Sequence, residues 1–574
     1  MTAKQLITDN LSNVLSSMKI DDVEPVVQMS EKSGNGDYYT SLPLKLSSTL
    51  KKKPLDIAYE IKKLLEKSSE LGSIIAKIEV APPGFVNFYL SQQTLRDTVS
   101  EIIKNKTYGN SNSLIDQSRG AGSGSARKIM VEFTDPNPFK EFHIGHLYSN
   151  IVGESLSRLF ESQGADVMRV CYQGDVGLHV AKAIYGMQKL SGEMPEDSAP
   201  LSIRAQFMGK AYALGAGEFE ENEDSKKEIN VLNKKIYEED RSVKELYKKG
   251  RAWSLEYFDN LYKRLGTKFE HFYFESEVGK IGVELVQEYL KKQIFEQSDG
   301  AVIFPGEKYG LHNRVFINSA GLPTYEAKDM GLAGAKYKDF PYDRSIIITA
   351  QEQEEYFKVV LKALQQVNPE LASKTTHISH GMVRLPTGKM SSRTGDVITG
   401  EWLIDEAVSR IQKEFSDMDS AASEKVGLAA IKFALLKSTV GKDMEFNFDE
   451  SIALSGASGP YLLYTYVRTQ SVLEKGKGAR VKGIEQLAEK ELNIEEKEVV
   501  RQLVYFPEIV KQSAEKLSPN LVAEYLFGLC QKFNLFYQKH KIADDPFRLE
   551  MTEAVGRVLQ NGLQHLGIET VSVM

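Results

Sequence analysis

Apolar residues recur at helical spacing along PLDIAYEIKKLLEKSSELGSII (54–75). AKIEVAPPGFVNFYLS (76–91) then alternates apolar and polar positions around a Pro-Pro-Gly turn, which predicts strands. The first 110 or so residues therefore read as a small α+β unit. SRGAGSGSAR (118–127) is Gly/Ser-rich and reads as a linker. Beyond it, KIMVEF (128–133) is a short apolar run fit for a buried parallel strand, TDPNP a turn, and a helix is expected from about Phe142. Further strand-like runs follow at ADVMRVCY (165–172), RSIIITA (344–350) and HISHGMVRL (377–385), with helical patterns between them. Such alternation predicts an α/β fold with a doubly wound parallel sheet. The charged helical stretch 217–258 reads as part of an insertion at about 190–270. From about 400 onward the pattern is almost entirely helical.

Composition narrows the class. The chain has 574 residues, 41% hydrophobic and 26% charged, as in ordinary globular proteins of several domains. Its 72 basic residues against 79 acidic give a formal charge of −7. That argues against a bulk electrostatic nucleic-acid binder but leaves room for local basic surfaces. LKKK (50–53), YKKGR (247–251) and KGKGARVKG (475–483) are such basic islands. Two cysteines, Cys171 and Cys530, cannot build a disulfide framework or a cysteine-rich zinc site, so a reduced cytoplasmic setting is expected. The N-terminus has no secretory pattern, and no apolar run is long enough to span a bilayer.

Two motifs carry the chemistry. In FHIGHLYSN (142–150), His143 and His146 share one helix face. Gly145 lets a flat group approach the backbone, and a helix N-terminus suits an anion. GKMSSRTG (388–395) has the composition of a polar loop that closes on phosphate. Together and in this order they resemble the H-I-G-H and K-M-S-K-S signatures of class I aminoacyl-tRNA synthetases. The resemblance implies ATP binding by His143, Gly145, His146, Met390, Ser391, Ser392 and Arg393, with Lys389 approaching the phosphates. Catalysis of that kind is positioning plus charge stabilisation.

EFTDPNPFKEFHIGH places Glu132 and Asn137 ahead of His143 and resembles the arginyl-tRNA synthetase pattern. Where that family usually has serine, Asp135 stands. Tyr325 and Asp329 in GLPTYEAKDMG match the tyrosine and aspartate that hold arginine's guanidinium. Glu132, Asn137 and Gln353 complete the implied arginine pocket, with Gln351 as an alternative to Gln353. Tyr356 occupies a position where the family often has histidine. A guanidinium is a permanent planar cation, so carboxylates and fixed acceptors suit it. Ser392 replaces the loop's second lysine, and the resemblance implies that Lys140 supplies the missing charge.

SGPYLLYTYVRTQSVL (458–473), YLFGLCQKFNLFYQKHKI (525–542) and the ending LGIETVSVM resemble the family's helical anticodon-binding domain. Tyr461, Tyr464, Tyr537 and Met574 are the implied tRNA contacts, whereas Phe533 and Phe536 suit the core. GDYYTSLPLKL and IEVAPPGFVNFYLS resemble its N-terminal domain, which contacts the tRNA elbow. The implied layout is an N-terminal α+β domain at 1–112 and a Rossmann-like catalytic domain at 126–400. A helical connector at 401–450 and an α-helical anticodon-binding domain at 451–574 follow. The implied reaction is ligation of L-arginine to tRNA(Arg), with ATP as substrate, Mg2+ accompanying ATP, and tRNA bound before arginine is activated. No protein-bound structural metal and a monomeric state are expected. A cysteinyl enzyme would favour metal-binding cysteines, and a glutamyl pocket would need a basic residue where this one offers carboxylates.

Overall fold

The computed structural model describes residues 2–20, 22–116, 125–385, 398–476 and 491–574. These divide into two compact units. One comprises 110–463, 510–524 and 562–574; the other comprises 1–109, 464–509 and 525–561.

The larger unit is organised by five parallel strands: β1 (Lys128–Glu132), β2 (Asp166–Gln173), β3 (His271–Phe274), β4 (Arg344–Ala350) and β5 (Thr375–His380), in the spatial order β5-β4-β1-β2-β3. β1 is central because its residues are apolar on both faces: Ile129, Met130 and Val131 are almost wholly buried. Glu132 at its end lies opposite Ile347 of β4 and Val170 of β2. The chain order reverses between β1 and β4, so the crevice beyond their carboxyl ends is the expected ligand site.

Helix α1 (Ile144–Ser162) returns across this sheet. Its Gly153 lets the Phe133 ring sit where a Cβ would lie, only 2.1 Å from Cγ. Ser149 Oγ donates to the Ile348 carbonyl at 3.0 Å and accepts from Thr134 N at 2.9 Å, locking α1 to both β1 and β4.

After β2 the chain forms α2 (Leu178–Lys189), α3 (Leu201–Glu221), α4 (Glu223–Tyr237) and α5 (Arg241–Leu265). The charged stretch is thus helical, broken into segments with Asn222 and Asp240 as N-caps. Helices α2 and α3 touch backbone to backbone. A Cβ at Gly186 would lie 1.9 Å from the Ala211 carbonyl oxygen, and one at Gly215 the same distance from that of Lys182. Next come α6 (Glu275–Lys291), a small antiparallel sheet (Glu296–Ser298, Ala301–Phe304, Arg314–Ile317), α7 (Tyr325–Asp339) and α8 (Glu354–Val367). Helices α6 and α7 contribute Val278, Val286 and Met330 to an apolar core that also holds Tyr273 of β3, Phe295 and Phe316.

In the smaller unit a four-stranded antiparallel sheet from the start of the chain packs with helices from its end. Arg501 reaches Asp37 Oδ1 at 2.6 Å and the Gly36 carbonyl at 2.9 Å, both buried. Phe533 and Phe536 are fully buried there.

Candidate active site

The turn after β1 sets the site. Thr134, Asp135 and Phe139 have φ of 80°, 44° and 68°, left-handed conformations costing each about 1–2 kcal/mol. Specific bonds hold them there. Asn150 Nδ2 donates to Thr134 Oγ1 at 3.0 Å. Tyr172 N donates to Asp135 Oδ1 at 2.7 Å, and Phe139 N to Ser254 Oγ at 2.9 Å. Asp135, the departure from serine, thereby ties the turn to β2. Burial, with Glu132 next to it, raises its pKa well above the carboxylate range.

The first helix starts two residues later than the sequence pattern suggests, with His143 as its N-cap. His143 Nδ1 accepts from Gly145 N at 3.1 Å, and His146 Nδ1 accepts from His143 N at 3.3 Å. This reciprocal capping stacks the two rings with centroids 3.6 Å apart. Burial, reinforced by Lys140, lowers the His143 pKa to about 4; burial, reinforced by His143, drives His146 well below its usual range. Both imidazoles are therefore neutral near pH 7. With each Nδ1 engaged as acceptor, the network assigns the proton to Nε2. Two uncharged N–H donors thus stand at a helix N-terminus, where the helix dipole adds partial positive charge. Lys140 brings the full charge: it is half-buried, with Nζ 5.2 Å from the centre of the Tyr212 ring. Burial lowers its pKa and Glu275 opposes the shift.

Lys389, Met390, Ser391, Ser392 and Arg393 lie outside the described residues. The chain just beyond them is pinned to α1: Ile144 N donates to the Ile398 carbonyl at 3.2 Å, and Gly400 N to that of Phe142 at 2.7 Å. A Cβ at Gly400 would press on the Phe142 ring at 2.9 Å.

On the other side of β1, buried carboxylates gather. Glu132 Oε2 accepts from Lys336 Nζ at 2.6 Å. Glu275 pairs with Lys328, and Glu326 with Arg314 at 3.1 Å. Asp329 has no ion pair among the described residues; its Oδ2 accepts from the Tyr356 hydroxyl at 2.6 Å. Burial, then Glu132, Glu275 and Glu326, raise the Asp329 pKa to about 8 against the lowering effect of that bond. Tyr325, one helical turn before Asp329, is exposed, with Lys328 Nζ 5.0 Å from its ring centre. Asn137 lies against Gly174, where a Cβ would meet Asn137 Oδ1 at 2.2 Å and Glu275 Oε1 at 3.1 Å. Gln351 and Gln353 lie on an exposed single turn directly after β4, and neither side chain makes a hydrogen bond among the described residues.

Glu132, Asn137, Lys140, His143, Gly145, His146, Tyr325, Asp329 and Gln353 thus lie at the end of β1, on the turn beyond it, on the first turns of α1 and α7, and on the turn after β4. Sequence reasoning missed others. His380 ends β5 with its ring 4.7 Å from that of Tyr148, and it is among the groups acting on both His143 and His146. His179 Nε2 is 2.7 Å from the Gly174 carbonyl oxygen. Asp175, fully buried, accepts from Ser276 N and Oγ, Arg251 Nε and the Tyr247 hydroxyl at 2.8–3.1 Å. Tyr247 and Arg251 of the basic island YKKGR are therefore committed to an internal carboxylate. The strand-to-glycine transition YQGDVGLH was the signal that could have found Asp175 and His179. A cleft of about 780 Å³ opens beside Asp175, between α4, α5 and α6.

In the smaller unit Arg468 lies between two candidate tyrosines. Its guanidinium is 4.7 Å from the ring centre of Tyr464 and 4.8 Å from that of Tyr537. It donates to the Tyr464 hydroxyl at 3.0 Å. Tyr461 and Met574 belong to the larger unit and are half-buried. Among the described residues, no group of three or more His, Cys, Asp and Glu residues could hold a metal ion. No described helix is long and apolar enough to cross a membrane.

Comparison with known proteins adds to this geometry. Residues 110–448 match the family described as tRNA synthetases class I (R), catalytic domain. Residues 462–574 match the DALR anticodon binding domain, and 1–90 the arginyl tRNA synthetase N terminal domain. The chain is 33% identical over 556 residues to an arginine–tRNA ligase of Treponema denticola, covering 92% of this chain and 91% of that protein. A Flavobacterium psychrophilum arginine–tRNA ligase is 31% identical over 77% of this chain and 79% of its own length. Two solved structures share the fold over the full length of both chains: a Thermus thermophilus arginyl-tRNA synthetase (TM-score 0.80, 21% identity) and one from Plasmodium falciparum (0.77, 20%).

Proposed function

The chain belongs to the arginyl-tRNA synthetase family, and on that premise we propose that it ligates L-arginine to tRNA(Arg) with the residues above in the following roles. The Nε2–H groups of His143 and His146 and the ammonium of Lys140 hold the triphosphate of ATP, which arrives with Mg2+ as part of the substrate. Lys389 approaches the same phosphates. The arginine carboxylate attacks the α-phosphorus, and the bond to pyrophosphate breaks as arginyl-adenylate forms. A ribose hydroxyl at the tRNA 3′ end then attacks the carbonyl carbon, and AMP leaves. Neutral imidazoles suit this task, because they stabilise transferred charge without competing for protons. The arginine side chain lies between Tyr325 and Asp329, with Glu132, Asn137 and Gln353 around the rest of the molecule.

One observation carries the assignment of the amino acid. The buried Glu132, Glu275 and Glu326 each have a cationic partner from the chain, whereas the half-buried Asp329 beside them has none among the described residues. A permanent planar cation completes that set. Arg468 between Tyr464 and Tyr537 offers a stacking platform for an unpaired base in the anticodon loop. The proposed state is a monomer, which sedimentation velocity tests. A cytoplasmic setting fits the two free, buried cysteines.

The deciding experiment is aminoacylation of total tRNA with each of the twenty amino acids, alongside ATP–pyrophosphate exchange with and without tRNA. Arginine alone should be charged, and exchange should need tRNA. Charging of any other amino acid at a comparable rate would overturn the reading.

A further inference from the structure

Asp329 sits in a place that disfavours its ionised form. Glu132 faces it from β1, Asp135 from the following turn, Glu275 from α6, and Glu326 from its own helix. Tyr172 of β2 and Tyr356 of α8 are its phenolic neighbours. The cations nearby are spoken for: Lys336 by Glu132, Lys328 by Glu275, Arg314 by Glu326. Among the described residues, the one direct stabilising contact on the Asp329 carboxylate is the 2.6 Å bond from the Tyr356 hydroxyl to Oδ2, and Oδ1 accepts no hydrogen bond.

Tyr356 is itself held. Its ring meets that of Phe357 edge-on, centroids 5.1 Å apart, and the Arg314 guanidinium lies 5.3 Å from its centre. Arg314 is in turn tied to Glu326 on the helix that carries Asp329. The hydroxyl therefore approaches Asp329 from a fixed direction.

We propose that Tyr356 is a positioning residue for the amino-acid substrate: its hydroxyl pins Oδ2 of Asp329 and leaves Oδ1 to receive the guanidinium. This rests on the reading that Asp329 is the guanidinium's partner. Two effects follow. The carboxylate plane is set before arginine arrives, so binding does not have to freeze its rotation. The donated hydrogen bond also favours the charged form that the surrounding carboxylates oppose. Losing the hydroxyl leaves Asp329 freer to turn and harder to ionise.

The test is steady-state kinetics of Tyr356→Phe, Tyr356→His and Asp329→Asn in the full chain between pH 6.5 and 8.5, with thermal unfolding of each. Tyr356→Phe keeps the ring and should raise the arginine KM about tenfold at pH 7.5, the scale of a hydrogen bond to a charged group. The ATP KM and the unfolding temperature should stay close to wild type. The pH at which the arginine KM levels off should move upward. Tyr356→His, which restores an N–H donor, should recover part of both effects. If Tyr356→Phe lowers the unfolding temperature but leaves the arginine KM and its pH profile unchanged, the residue only packs and the proposal is overturned. If Asp329→Asn raises the arginine KM while Tyr356→Phe and Tyr356→His match wild type, the proposal fails and the pocket reading survives. An unchanged arginine KM in Asp329→Asn overturns both.

Discussion

Lys336 Nζ lies 2.6 Å from Glu132 Oε2, joining α7 to the end of β1 through a pair that is nearly wholly buried. The pair fixes the helix that carries Asp329, about two turns further toward its N-terminus, against the sheet edge. Lys336→Met should leave Glu132 buried without a partner and cost about 3–5 kcal/mol. Urea unfolding followed by a probe in the larger unit checks this. Adding Glu132→Gln should recover part of the loss, because the stranded charge is gone. Equal midpoints for wild type and Lys336→Met would show that the pair does not hold α7.

On the proposed reading, Asp329 should be partly protonated before arginine binds. With Asp329 raised to about 8, most molecules carry it neutral at pH 7, and a guanidinium that needs the carboxylate must displace a proton. The arginine KM should therefore fall as pH rises from 6.5 toward 8, by up to tenfold per pH unit well below the pKa, and level off above it. Asp329→Asn should raise the KM at least tenfold at pH 8.5 and flatten this dependence. A flat wild-type profile would mean the carboxylate is already ionised.

In the proposed mechanism Lys140 supplies the charge that Ser392 does not. It is the lysine beside the capped histidines, and burial already lowers its pKa. Lys140→Ala should slow pyrophosphate exchange by about 10²-fold, the scale of one lost preorganised donor. Ser392→Lys in that background should restore part of the rate. Near-wild-type exchange in Lys140→Ala would pass the role to Arg393.

Arg468→Ala removes the cation between Tyr464 and Tyr537. The tRNA KM should rise roughly fivefold to a hundredfold, in line with the loss of about 1–3 kcal/mol of stacking, with the arginine KM unchanged. Tyr537→Ala should act in the same direction. If neither variant alters tRNA charging kinetics, this cluster packs the unit and does not read RNA.

Much of the candidate site's geometry was legible because its signals are local. KIMVEF specifies a buried strand by its unbroken apolar run, and His143, Gly145 and His146 sit within one helical turn. Tyr325 and Asp329 share a face because they are four residues apart. Helix breaks in the charged stretch were less visible, since Asn222 and Asp240 act as caps only once the flanking helices have partners.

The sequence by itself determined the alternation of strands and helices, the place where nucleotide chemistry could occur, and the residue types available for it. Those follow from periodicities and spacings of a few residues, which the backbone imposes on any chain. Tertiary structure alone decided which charges are free. Nothing local links Lys336 to Glu132, Lys328 to Glu275, Arg251 to Asp175 or Arg501 to Asp37, since each pair is far apart in the chain. Nor does the sequence show that Asp329 receives only a tyrosine hydroxyl, or that His143 and His146 are neutral. Burial makes an unpaired charge costly, so folding must settle each charge with whatever the packing brings near. The group left without a cation is therefore known only when every other partner has been assigned.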